Sequence, residues 1–79
     1  MEIKILGSGC TNCVNLARVT KEAADELGIV ATFEKVEDYQ TILQYGVMST
    51  PALVINGAVV VSGRVPSRNQ VKAMLLKAE

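Results

Sequence analysis

The chain has 79 residues, of which 49% are hydrophobic, and its eight basic and eight acidic side chains give a formal net charge of zero. This length predicts one small domain, over residues 1–79, with a single modest core. The charge balance argues against electrostatically driven binding to nucleic acid, and no apolar run approaches the length of a membrane span.

The first half of the chain predicts strand, helix and strand. Ile3 and Ile5 alternate with Lys4 in a first strand that ends at Leu6. An amphipathic helix follows from Cys13. Its apolar or small positions recur every three or four residues: Leu16, Ala17, Thr20, Ala23, Ala24 and Leu27. Gly28 is a typical end for this helix, and residues 29–36 have the composition of a second strand.

A short helix is predicted over residues 39–45. Asp38 is a candidate N-cap for it, Gly46 a candidate end, and Ile42 and Leu43 are expected on its buried side. Tyr39 and Tyr45 are interpreted as half-buried residues of this helix rather than as members of a site.

The last third predicts a hairpin and a helix. Strands over residues 52–55 and 58–61 flank Asn56-Gly57, a strong signal for a type I′ turn. Ser67 and Gln70 form a capping box at the start of a final helix. The apolar face of that helix is Val71, Met74, Leu75 and Ala78. The predicted order is β-α-β-α-β-β-α, an α/β fold with a four-stranded mixed sheet flanked by three helices.

The two cysteines, Cys10 and Cys13, are separated by Thr11-Asn12 at the start of the first helix. A helix N-terminus favours the thiolate form of a nearby cysteine. Three interpretations stand: a redox pair, a clip for a soft metal, or two unreactive core thiols. In the redox interpretation Cys10 is the nucleophile, because it lies nearest the helix start. Cys13 shares the apolar helix face and is the resolving thiol.

The N-terminus lacks the basic segment and long apolar stretch of a secretory signal, so we expect a cytoplasmic protein. In that reducing compartment a Cys-x-x-Cys pair is more often catalytic or metal-binding than structural.

Together with a later Ser49-Thr50-Pro51 just before the hairpin, this Cys-x-x-Cys resembles the pattern of small thioredoxin-like, redox-active disulfide proteins. The resemblance covers essentially the whole chain. It implies a minimal thioredoxin-like fold and a thiol–disulfide oxidoreductase that reduces or exchanges disulfides of proteins or small acceptors.

The resemblance also implies roles for residues around the cysteines. Pro51 is expected to follow a cis peptide bond, with an ordinary trans proline as the alternative. Thr50 is expected to offer its backbone to an extended substrate segment. The implied docking surface comprises Gly9, Thr11, Asn12, Val47, Met48, Ser49, Gly63 and Arg64. Met48 is interpreted as an apolar contact, and Arg64 as either a substrate contact or a solvated turn residue.

The same resemblance implies partners. No cofactor is expected on the protein itself, and electrons would come from an NADPH-linked flavoprotein of the thioredoxin reductase kind. The substrate would be a disulfide-containing protein, and we expect the chain to act as a monomer.

The chain departs from thioredoxins at several positions. Gly9 stands where they have Trp, and Thr11-Asn12 stands where they have Gly-Pro. Six residues before the first cysteine, where they carry a buried acid, this chain has Lys4. Gly63-Arg64-Val65 lacks the second glycine of glutaredoxins, so glutathione binding is not expected.

The alternative function is a soft-metal carrier that uses the same two thiolates, which suit Cu(I). Against it, Ser8 stands where heavy-metal-binding domains have Met, and the final predicted element is a helix rather than a strand. The chain has no histidine, which argues against a zinc site and excludes Cys-His catalysis.

Overall fold

The computed structural model describes residues 1–7 and 11–78. The elements follow the predicted order. The strands are β1 (Glu2–Leu6), β2 (Thr32–Val36), β3 (Ala52–Ile55) and β4 (Ala58–Ser62), and the helices are α1 (Thr11–Leu27), α2 (Tyr39–Gln44) and α3 (Arg68–Ala78). None of the helices described here is both long and apolar enough to cross a membrane.

The strands form one sheet in the order β2-β1-β3-β4. β1 is parallel to β2 and antiparallel to β3, and β3 is antiparallel to β4. Helix α1 makes the crossover that two neighbouring parallel strands require. The predicted four-stranded mixed sheet with three helices is therefore confirmed.

Both faces of the sheet are covered, because the side chains of β1 and β3 alternate between two apolar clusters. On one face, Ile3 and Ile5 of β1 pack with residues of α1 and α3: Leu16, Ala23, Ala24, Val71 and Leu75. On the other face, Leu6 packs with Ile42, Val47, Ala52 and Val54. All four residues of β3 are buried.

Helix α1 ends as predicted at Gly28, whose φ of 69° is easily reached by glycine. The Gly28 N–H donates to the Asp25 carbonyl (3.1 Å) and the Ile29 N–H to the Ala24 carbonyl (3.0 Å), the pair of bonds found in a Schellman motif. This explains an error in the predicted second strand. Ile29 is held by the helix end, and pairing with β1 begins only at Thr32, opposite Glu2.

Helix α2 corrects two predictions. Leu43 is 47% exposed rather than buried, and Tyr39 is 71% exposed rather than half-buried. Asp38 is the N-cap residue, as predicted, but its side chain makes no capping hydrogen bond. Its carboxylate instead accepts a hydrogen bond from the Thr41 hydroxyl at 2.7 Å. That bond is the main reason that the pKa of Asp38 lies below its ordinary value.

The turn and cap predictions for the last third are confirmed. Asn56 and Gly57 have φ of 50° and 85°, as a type I′ turn requires. The Asn56 side-chain oxygen also accepts the Glu2 N–H at 2.9 Å, which ties the hairpin to β1. At α3, the Ser67 N–H donates to Gln70 Oε1 (3.0 Å) and the Gln70 N–H to Ser67 Oγ (3.2 Å).

The β3–β4 ladder contains a bulge. Leu53 pairs with Val61, but Val54 pairs with Val59, so Val60 has no partner on β3. An extra residue of this kind bends its strand and increases the local twist.

Candidate functional site

Cys13 lies in the first turn of α1, beside the end of β1. Its side chain is 5% exposed, and its sulfur is disulfide-bonded. The burial agrees with the predicted place of Cys13 on the apolar helix face. Cys10 and Gly9, which carry the predicted nucleophile and part of the docking surface, lie outside the described residues.

Gly7 lies against this sulfur, a contact that the sequence did not indicate. Its φ is 146°, and a Cβ built on it would lie 2.5 Å from Cys13 Sγ and 3.5 Å from Thr50 Cβ. The Gly7 N–H donates to the Val36 carbonyl at 2.9 Å, which fixes this turn to the end of β2. Glycine is therefore required here for space as well as for φ.

The segment before β3 reaches the same place. The Thr50–Pro51 peptide bond is cis, Thr50 is exposed and Pro51 is buried. The Pro51 carbonyl accepts the Gly63 N–H at 2.8 Å. A Cβ on Gly63, whose φ is 78°, would lie 3.1 Å from Ser49 Cβ. Ser49, Thr50, Pro51 and Gly63 are thus brought together with Cys13 and Gly7.

The other predicted docking residues differ in their exposure to solvent. Thr11, Asn12 and Arg64 are exposed, and Met48 is 95% exposed. Val47 is a correction, because it is only 4% exposed and belongs to the cluster beneath α2. It cannot contribute to a docking surface.

Lys4 lies on the opposite face of the sheet from Cys13, because it alternates with Ile3 and Ile5. Its ammonium donates to the Tyr45 hydroxyl at 3.2 Å and lies 3.6 Å from carboxylate oxygens of Glu2 and Glu34. The hydrogen bond to Tyr45 is the main cause that raises the pKa of Lys4 above its ordinary value. Lys4 is thus engaged away from the cysteine.

Sequence reasoning also missed a small pocket of about 40 Å³ beside Cys13. It is lined by Ile5, Gly7, Cys13, Val14, Lys35 and Glu37. The only available signal was that Lys35 and Glu37 are two residues apart in a strand pattern and therefore share a face. Which face they share depends on the β1–β2 register, which the sequence does not state.

No group of three or more His, Cys, Asp or Glu side chains suited to a metal ion occurs in the part of the chain that the structure describes. Two thiolates alone would be the donor set of the soft-metal alternative.

Comparison with known proteins gives a consistent result over nearly the full length. A family described as "Thioredoxin domain" matches residues 1–76. A thioredoxin of Methanothermobacter thermautotrophicus is 41% identical over 75 residues, which cover 95% of this chain and 97% of that protein. A thioredoxin of Methanocaldococcus jannaschii is 36% identical over 73 residues, covering 92% and 84% respectively. The chain belongs to the thioredoxin family.

Proposed function

We propose that this protein is a thiol–disulfide oxidoreductase in which Cys10 attacks the substrate and Cys13 resolves the mixed disulfide. The observation that carries the proposal is the position of the Cys13 sulfur, buried in the first turn of α1 against Gly7 and beside the Thr50–Pro51 segment. Membership of the thioredoxin family supports the same general activity.

The proposed reaction has two exchange steps. The Cys10 thiolate attacks one sulfur of a substrate disulfide, the substrate S–S bond breaks, and the electron pair leaves with the other substrate sulfur. The Cys13 thiolate then attacks the Cys10 sulfur and releases the second substrate thiolate. The substrate gains two electrons, and the Cys10–Cys13 pair becomes a disulfide.

The two cysteines are suited to different steps. Thr11, the residue after Cys10 in the sequence, begins α1, and unpaired N–H groups at a helix start stabilise a nearby thiolate. Cys13 is buried, so an intermolecular substrate has poor access to its sulfur. This difference favours Cys10 as the attacking thiol and Cys13 as the resolving thiol.

The surface beside the cysteines is suited to an extended peptide. Thr50 is exposed next to buried Pro51, and its backbone would pair with a substrate strand. Met48, which is 95% exposed, would supply an apolar contact to the same segment, and Thr11, Asn12, Ser49, Gly63 and Arg64 complete the proposed docking surface. We propose that an NADPH-linked flavoprotein reductase restores the dithiol, in a reducing compartment such as the cytoplasm.

The test mixes pre-reduced Cys13→Ser or Cys10→Ser with a protein disulfide substrate in the absence of added thiol, and measures turnover separately with dithiothreitol as the electron donor. We expect Cys13→Ser to accumulate a mixed disulfide with the substrate on Cys10, detected as a mass adduct. Cys10→Ser should form none and should have no turnover. Neither variant can form the Cys10–Cys13 disulfide, so a difference between the two variants reports on the separate roles of Cys10 and Cys13. Turnover of Cys13→Ser at the wild-type rate would refute the two-cysteine mechanism.

A further inference from the structure

The pocket beside Cys13 combines a buried sulfur with two charged side chains. Among the described residues that line it, Lys35 and Glu37 carry charge, and both are exposed on their outer side. Its volume of about 40 Å³ has room for about two or three water molecules. Water in this space would have Lys35 and Glu37 as charged partners on the pocket wall.

Strand register places Lys35 on the Cys13 face, and the pocket lining places Glu37 there as well. Lys35 of β2 is paired with Ile5 of β1, and residues paired across a sheet project to the same side. Ile5 packs with α1 residues, so Lys35 also lies on the α1 face. Glu37 follows two residues later and shares that side. Val36, between them, accepts the Gly7 N–H at 2.9 Å, which holds the end of β2 against the cysteine turn.

We propose that Glu37 is the proton acceptor for the Cys13 thiol, through water in this pocket, during the resolving step. The inference rests on the proposed function. The S–H proton of Cys13 passes to water and then to the Glu37 carboxylate. The Cys13 sulfur attacks the Cys10 sulfur, the Cys10–Cys13 bond forms and the Cys10–substrate bond breaks. The substrate sulfur leaves with the electron pair, and Glu37 returns its proton to the released thiolate or to solvent.

Several described charged groups on the neighbouring elements have partners of their own. Lys4 lies on the opposite face with Glu34. On α1, Arg18 lies 3.9 Å from Glu22. Asp38, next to Glu37, accepts the Thr41 hydroxyl. Among the described residues that line the pocket, Glu37 thus supplies the carboxylate, and the Lys35 ammonium would stabilise a negative charge on the sulfur.

The experiment mixes reduced protein with an excess of a chromogenic aromatic disulfide. The first release of aromatic thiolate reports attack by Cys10. The second, which does not depend on reagent concentration, reports resolution by Cys13. We expect Glu37→Gln to slow the second release roughly ten- to hundredfold near neutral pH, at the lower end of general-base effects because water replaces part of the function. The first release should be unchanged.

Dependence on pH gives a readout that a structural role would not move. In Glu37→Gln the second release should rise about tenfold per pH unit, because it follows the thiolate fraction of Cys13 alone. At high pH the rate of the second release in Glu37→Gln should equal that of the wild-type protein. Glu37→Asp, which retains a carboxylate, should recover part of the rate. Glu34→Gln makes the same charge change on the opposite face of β2 and serves as the matched control.

If Glu37 acted only through its charge, Glu37→Gln would change the rate of the second release in the opposite direction. Removing a negative charge beside Cys13 would favour its thiolate and accelerate the second release. An accelerated or unchanged second release in Glu37→Gln would overturn the inference while leaving the proposed function intact. Absence of any second release in the wild-type protein would instead overturn the proposed function, and the inference with it.

Discussion

Replacing Gly7 with Ala tests whether the Cys13 sulfur is positioned by the space that this glycine leaves. The new Cβ would lie 2.5 Å from Cys13 Sγ, well inside the contact distance of about 3.5–4.0 Å for non-bonded heavy atoms. The backbone adds a second cost, because the φ of 146° is one that L side chains rarely adopt. Such strain costs about 1–3 kcal/mol, and displacing a packed side chain costs about 1–3 kcal/mol more.

We therefore expect Gly7→Ala to lower the free energy of unfolding by about 2–6 kcal/mol, from a total on the order of 4–12 kcal/mol for a chain of this length. Urea unfolding of the oxidised protein measures this. Gly28→Ala is the control: its φ is 69°, and its Cβ would have no atom within 4 Å, so it reports left-handed strain alone, about 1–2 kcal/mol.

A second measurement follows the sulfur itself. In a Cys10→Ser background Cys13 is the single thiol, and Gly7→Ala should make it react faster with iodoacetamide because the sulfur is pushed out of its buried position. If Gly7→Ala costs no more stability than Gly28→Ala and leaves alkylation unchanged, the sulfur is not positioned by Gly7.

Three further changes test other contacts. Ser67→Ala removes half of the capping box of α3 and should cost about 1 kcal/mol, seen as a lower urea midpoint; an unchanged midpoint would contradict the cap. The hydrogen bond from Lys72 holds the pKa of Glu26 below its ordinary value, so the charged form of Glu26 stabilises the fold above that ordinary pKa, and the stabilisation is lost as pH falls through the lowered pKa. Glu26→Gln should therefore be less stable than wild type at neutral pH and equal to it in acid, and a constant difference across pH would refute this. Tyr45→Phe should lower the pKa of Lys4, measured by NMR of the lysine side chain. The stability that the Lys4–Tyr45 hydrogen bond gives the wild-type protein should be lost as pH rises through the raised pKa of Lys4.

The parts of the fold that depend on neighbouring residues were predictable from the sequence. Apolar residues recur at a regular helical spacing along α1. Asn56-Gly57 is typical of the turn between β3 and β4, and Ser67 with Gln70 predicts the start of α3. Each signal acts over a few residues. The late start of β2 was not predictable, because the helix end at Gly28 uses the Ile29 N–H and the register with β1 begins with Glu2 opposite Thr32.

In the candidate site, too, the predictable features were local and the missed ones depended on contacts between distant segments. Cys13 was located by its helix position, and Thr50–Pro51 by family resemblance. Lys35 and Glu37 were missed, because their relation to Cys13 depends on the parallel β1–β2 pairing, which joins segments some thirty residues apart. The contact of Gly7 with Cys13 was missed because it depends on how α1 packs against the end of β1. The exposure of Leu43 was missed for a simpler reason: α2 has only six residues, too few for a period to define its buried side.

The bulge at Val60 bears on whether the edge of the sheet can pair with another chain. β4 is an edge strand, and its sequence, Ala-Val-Val-Val-Ser, has no charged side chain to discourage a foreign strand from pairing with it. A regular apolar edge of this kind is a template for fibril-like stacking. The unpaired Val60 interrupts the regular spacing that an incoming strand would need. Deletion of this one residue should therefore straighten the edge and lower the concentration at which the protein aggregates.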